Sequence, residues 1–187
     1  MSVHRHRRRD KLKGMSSPHP QLPALASRTL TSGLAARTLI NLNFIKQSPT
    51  DAVHPVTQVV NSLLSLLVFP VEKEQAFFEP FAAIKLSSSS VQTTLAANNI
   101  SLNTLQIIQF GSCKNLRRFF VRLRNAITHK RLEFNGDVDS KDLEKVTITL
   151  KDRPSKKASD DWHIQMNVAD LNSLACFVAQ KIIQQEL

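Results

Sequence analysis

Apolar residues recur at helical spacing over residues 24–46, where Leu25, Leu30, Leu34, Leu39, Leu42 and Ile45 line one side of a helix. Gly33 weakens that helix locally, and Pro49 lies beyond its end. A second helix is predicted from Pro55 through Val56, Val59, Val60, Leu63, Leu64 and Leu67, until Pro70 stops it. It is apolar on more than one side, which predicts the most buried helix of the chain. Further on, Phe77, Phe78 and Phe81 demand burial, whereas Pro80 and the serines from Ser87 to Ser90 predict a short helix followed by a flexible loop. Another helix is expected over residues 101–110, with Leu102, Leu105 and Ile108 inward. Gly111 and Ser112 break it, and the Ser112 hydroxyl is expected to cap the next helix, residues 113–132.

After Asn135 and Gly136 the period changes from helical to alternating. Val146, Ile148 and Leu150 alternate with Thr147 and Thr149, and Trp162, Ile164 and Met166 alternate with His163 and Gln165. These are two strands of a hairpin, joined by the polar link 152–160. Asp170 then caps an amphipathic helix through Leu174, Phe177, Val178, Ile182 and Ile183. No internal repeat is visible. The expected fold class is mainly α: an antiparallel helical bundle with one small β-hairpin before the C-terminal helix.

Composition narrows this picture. A chain of 187 residues with 42% hydrophobic content supports one core, placed at residues 24–187. Residues 1–23 carry arginine runs, paired serines and Pro18, Pro20 and Pro23, and are expected to be a disordered basic tail. Half of the net charge of +10 sits in residues 1–13, and Met15 is an alternative start. The rest of the chain remains basic, which favours a polyanionic partner, nucleic acid before membrane surface. The longest apolar run, residues 63–71, is interrupted by Ser65 and Pro70 and is too short to span a bilayer. No apolar stretch follows the basic start, so neither a secretory signal nor a membrane anchor is expected. Cys113 and Cys176 lie far apart within apolar patterns and read as reduced core thiols, which makes the cytoplasm the expected compartment. Only four glycines occur, which argues against nucleotide folds built on glycine turns. No metal-spaced Cys/His set is present, and neither metal nor cofactor is expected.

The candidate chemistry lies on the helix expected over residues 113–132. Projected at about 100° per residue, Leu116, Phe119, Phe120, Leu123, Ala126 and Ile127 form a core arc. Arg117, Val121, Arg124, Asn125, Thr128 and His129 fall on the remainder. Arg124 and Thr128 stack in one column, Asn125 and His129 in the next. Arg118, Arg122, Lys130 and Arg131 surround them.

The run Arg124-Asn125-Ala126-Ile127-Thr128-His129 resembles the motif of the HEPN family: arginine, a polar residue, three variable residues, then histidine. The stretch 36–42 (Ala-Arg-Thr-Leu-Ile-Asn-Leu) and the stretch 57–70, with its Phe69-Pro70 stop followed by Glu72, are similar to the first two helices of a bacterial and plasmid-borne branch. The likeness extends over about residues 24–185 and implies a metal-independent endoribonuclease, often with phage-defence or toxin roles. It also implies a homodimer in which two copies of the motif helix meet across a two-fold axis. RNA supplies its own nucleophile, the 2′-OH, so the protein has to manage protons and stabilise charge. His129 would take or give a proton, and Arg124 would hold the phosphate. Asn125 and Thr128 would orient these groups or bind substrate. Single-stranded RNA is the expected substrate, and a controlling antitoxin or regulatory protein is an expected partner.

Plainer readings stand beside these. Arg124 and His129 also fit a solvated face, Asn125 a local hydrogen bond, and Thr128 a structural role. Arg117, Arg118, Arg122, Lys130 and Arg131 form a charge run of which two or three would contact RNA. His163 is expected on the outward side of its strand without a role, Trp162 in the core, and His54 at a turn. Glu72 and Glu74 are expected to pair with lysines, and His4, His6 and His19 to lie in the tail. Two rival functions remain: a catalytically silent HEPN module that binds RNA or a protein partner, and a DNA-binding regulator. Against the second, the basic helix carries so plain a core face that little of it could enter a groove.

Overall fold

The computed structural model describes residues 30–47, 54–73 and 78–185. The basic tail with His4, His6, His19 and Met15, and also Pro49, Glu74 and Phe77, lie outside the described residues, as does the start of the first expected helix. In chain order the elements are α1 (Leu30–Gln47), α2 (Pro55–Lys73), a 3-10 turn (Pro80–Ala82), α3 (Val91–Ala97), β1 (Gln106–Gln109), α4 (Leu116–Thr128), β2 (Leu132–Asn135), β3 (Thr147–Asp152), β4 (Trp162–Asn167) and α5 (Val168–Gln185). The strands form one antiparallel sheet in the order β1-β4-β3-β2.

This corrects the expected fold class. Among the described residues the protein is mixed α/β, with five α-helices and a four-stranded sheet, not a helical bundle with a single hairpin. The β3–β4 hairpin stands where the alternation put it, but each of its outer edges gained a strand. Residues 101–110 mimic a helix because Leu102, Leu105 and Ile108 are three apart. Leu102 and Leu105 are buried, but Ile108 is 53% exposed at a break in the β1–β4 register. Ile107 pairs with Ile164, and the β-branched pair at 107–108 suits a strand. At the other edge, residues 132–135 pair with β3 from Leu132↔Leu150 to Asn135↔Thr147. The serine stretch is a turn, not a loose loop: Ser87 Oγ lies 2.7 Å from Ser90 Oγ, and α3 follows directly.

The sheet presents one apolar face. Ile148, Leu150 and Asp152 of β3 are buried, while Thr147, Thr149 and Lys151 point the other way. On β4, Trp162, Ile164 and Met166 are buried in the same alternation. α4 packs on β3 and α2, and α5 packs on α1, α2 and β4. α5 touches both the helices and the sheet, and Val168, Leu171, Leu174, Ala175, Val178 and Ala179 along it are buried. Phe78, Phe81 and Phe120 meet with centroids 5.5–5.9 Å apart. Trp162 is fully buried with its ring edge-on to Phe119 at 5.8 Å, so it serves the core, as expected. Burying each such side chain contributes about 1.5–3 kcal/mol.

The two ends of the β3–β4 hairpin differ. The end at Thr147 and Asn167 opens beside a cavity of about 510 Å³ bordered by Leu42, Val59, Thr104, Leu143 and Asp170. The end at Asp152 and Trp162 runs under α4.

Candidate functional site

α4 begins when Asn115 accepts the backbone N–H of Arg118 on its Oδ1 at 2.8 Å. The expected cap, Ser112, lies three residues earlier and is engaged elsewhere, its hydroxyl accepting Nη2 of Arg122 at 2.9 Å. Leu116, Phe119, Phe120, Leu123, Ala126 and Ile127 are buried. The helix stops at Thr128, with His129 as its C-cap, well short of residue 132. Lys130 stands at φ 55°, its N–H donates to Ile127 O at 3.0 Å, and the Arg131 N–H donates to Ala126 O at 2.8 Å. This pair of bonds is a Schellman motif, which usually places glycine where Lys130 stands. The left-handed backbone turns the chain straight into β2.

Arg124 and Asn125 are half-buried, whereas Thr128 and His129 are exposed. The His129 N–H still donates to Asn125 O at 2.9 Å, so the backbone stays helical up to the imidazole. The four residues occupy the last turn of α4 and its cap. The C-terminal end of a helix carries partial negative charge, which suits the cations Lys130 and Arg131 that follow.

No local pattern in the sequence singles out the residue that organises this turn. Asp152, at the end of β3, is 1% exposed. Its Oδ1 accepts Arg131 Nη1 at 2.9 Å, and its Oδ2 accepts Arg122 Nη1 at 3.2 Å and Asn125 Nδ2 at 3.3 Å. One buried carboxylate therefore ties α4, the turn after it and the sheet together. Arg122 is fully buried, and it also grips Asp161 in a bidentate pair, Nη1–Oδ1 at 2.7 Å and Nη2–Oδ2 at 3.0 Å. Gly111 fits closely against this pair: it stands at φ 54°, and a Cβ there would come within 2.4 Å of Asp161 O.

These contacts correct the expected basic surface. Arg122 is part of the core and meets no solvent. Arg131 is half-buried with its guanidinium committed to Asp152, and Arg117 pairs with exposed Glu79 at 3.0 Å. Arg118 and Lys130 form no ion pair among the described residues. Asn125 donates to Asp152 across 27 residues, not to a local partner.

The remaining titratable groups lie apart. Burial pushes the Cys113 thiol up to about 12 against the opposing pull of Arg122 and Arg118, so it stays protonated, and Cys113 and Cys176 form no disulfide. His163 lies on the outward face of β4, half-buried, and its pKa is lowered by desolvation first and then by Lys151, with Glu133 and Asp160 opposing. Lys151 bonds Glu133 at 2.8 Å, which holds that carboxylate below its usual range. His54 stands at the start of α2 with Nδ1 3.0 Å from Asp139 Oδ1. Among the described residues no cluster of three or more His, Cys, Asp or Glu could hold a metal ion, and no helix is long and apolar enough to cross a membrane.

No curated protein and no solved structure matches the chain. A protein-family model does: the family described as HEPN pEK499 p136 matches residues 15–187, which takes in every described element and the motif at the end of α4. The chain belongs to the HEPN pEK499 p136 family.

Proposed function

We propose that this protein is an endoribonuclease that cleaves single-stranded RNA without a metal ion, working as a homodimer through α4. Membership of the HEPN family points to a nuclease or RNA-related role. The observation that carries the finer reading is the exposed imidazole of His129 on the last turn of α4, beside the Arg124–Thr128 column and on a backbone pinned from two sides. The Schellman bonds fix the peptide around His129. Asp152 holds Asn125 on one flank of the histidine and Arg131 on the other.

In this reading the RNA 2′-oxygen attacks its own 3′-phosphorus. His129 accepts the 2′-OH proton as the O2′–P bond forms. The P–O5′ bond breaks, and His129 of the partner subunit gives a proton to the departing 5′-oxygen. The products are a 2′,3′-cyclic phosphate and a 5′-hydroxyl. Arg124 holds the phosphate and stabilises the charge that grows on its non-bridging oxygens, while Thr128 binds or orients by a neutral hydrogen bond. Lys130 contributes a further cation at the same end. A role in phage defence or as a toxin, under a controlling antitoxin, fits such an activity.

The test is an assay of EDTA-treated protein on unstructured RNA, with single-stranded DNA as control. RNA is expected to be cleaved to cyclic-phosphate ends and DNA left intact. His129→Ala is expected to lower cleavage by at least about a hundredfold, the scale of general acid–base catalysis, and Arg124→Ala by a comparable amount. Salt-sensitive RNA binding with no product at any pH would replace this reading with that of a silent binding module.

A further inference from the structure

The other end of α4 carries a cavity that the cleavage chemistry does not use. It measures about 460 Å³ and is lined by Ser112, Lys114, Asn115, Arg117, Arg118 and Val121. Three of the six are cations and none is a carboxylate. Arg117 is held by Glu79, but Lys114 and Arg118 form no ion pair among the described residues, and their charge is uncompensated within the cavity. The polar groups beside them are already engaged: Asn115 Oδ1 caps the Arg118 N–H, and Ser112 Oγ accepts from Arg122. The cavity is thus a concave cationic seat whose charge comes from side chains.

Its position relative to the motif is fixed by one rigid element. Arg117, Val121, Arg124 and Thr128 follow one another at helical spacing, so they form a single stripe along α4. At 1.5 Å per residue, Arg118 lies about 9 Å along the axis from Arg124, a separation that a short stretch of strand can bridge.

We propose that this cavity is a phosphate subsite, in which Lys114 and Arg118 hold a backbone phosphate of the single strand to one side of the scissile bond. The proposal deepens the nuclease reading and rests on it for its substrate. The seat offers no aromatic platform for a base, since Val121 is its only large apolar wall. It therefore recognises the backbone without regard to sequence or to the 2′-OH, and single-stranded DNA, which the enzyme is expected not to cleave, is a fit probe of it.

The experiment measures binding of the full chain to a short single-stranded DNA and to the matching RNA over a range of salt. It compares wild type with Lys114→Gln/Arg118→Gln, and with Lys141→Gln/Lys145→Gln as a charge-matched control at the far end of the hairpin. All three are checked for folding by circular dichroism. With about 0.7 in slope for each phosphate neutralised on a single strand, the cavity variant is expected to lower the slope of log K against log salt by about 0.7 on DNA and RNA alike. The control is expected to keep the wild-type slope. Equal slopes for wild type and the cavity variant, or an equal drop in both double variants, would overturn the subsite. Cleavage is scored separately: absence of RNA cleavage with the slopes as expected rejects the nuclease reading and leaves the subsite standing.

Discussion

The two ends of the β3–β4 hairpin are each closed by a buried aspartate, and they solve the problem of burying a carboxylate differently. Asp170, 5% exposed on the first turn of α5, accepts from neutral donors: the backbone N–H of Asn103 at 3.1 Å, and the N–H and hydroxyl of Thr104, both at 2.7 Å. Its own N–H is held by Asn167 Oδ1 at 2.8 Å. Asp152, 1% exposed, is met by two guanidiniums and a carboxamide. The first end joins two pieces of backbone and, among the described residues, meets the aspartate with neutral donors and no ion pair. The second end matches charge with charge inside the core, where removal of one partner strands the others. The HEPN motif stands on the second end. The turn that carries Arg124 and His129 thus rests on the arrangement in which the loss of one partner costs more.

The largest expected effect comes from breaking that end. Asp152→Ala leaves the buried Arg122 with one of its two carboxylates and is expected to lower stability by roughly 3–5 kcal/mol, read by urea denaturation. Under conditions where the variant is folded, cleavage is expected to fall by about a hundredfold, the scale of a misplacement of about 1 Å in a catalytic group. A variant that is destabilised but cleaves normally when folded would confine Asp152 to stability. The counterpart, Asp170→Ala, loses hydrogen bonds to neutral groups near solvent and is expected to lower stability by about 1–3 kcal/mol, with cleavage by the folded fraction unchanged. Equal stability losses at the two ends would erase the distinction drawn between them.

The smallest effect is one of pH. His163 pairs with Lys151 one step from Asp152, and its pKa is lowered from 6.5, by desolvation first. Above 6.5 the ring is neutral in both folded and unfolded chains, and stability is unaffected. As pH falls through 6.5 the unfolded chain takes up the proton more readily, so the folded state loses stability until the lower folded pKa is passed. His163→Gln is expected to remove this loss, so that its stability declines less than that of wild type on acidification below neutrality. Parallel pH profiles for the two proteins would show that the histidine is not strained by its neighbours.

What is legible in the sequence follows from the range of each signal. The core face of α4, the alternation of β3 and β4 and the apolar stripe of α5 repeat every few residues and can be read directly. The end of α4 cannot, because its stop is a left-handed Lys130 where the usual signal is glycine. Strand β2 is hidden for the same reason: Leu132 continues the apparent helix. Residues 101–110 offer apolar spacing that a helix and a strand with a register break can both produce. At the site, the motif marks Arg124 and His129. Arg122 reads as a surface cation within a charge run, although it falls next to Ala126 at the edge of the core arc on the helical wheel, which is the available clue. Its partners Asp152 and Asp161 lie 30 and 39 residues away, a separation that no local pattern reports.

That separation also gives the molecule a built-in sequence of events. The donors to the Asp152 carboxylate (Arg122, Asn125 and Arg131) leave the ribosome before the acceptor does, and Asp161, the other anchor of Arg122, follows later still. A nascent chain can display the whole HEPN motif and yet have nothing to brace it against. The bracing of the turn at residues 124–131 is complete only when the β3–β4 hairpin closes beneath it and brings Asp152 and Asp161 to their donors.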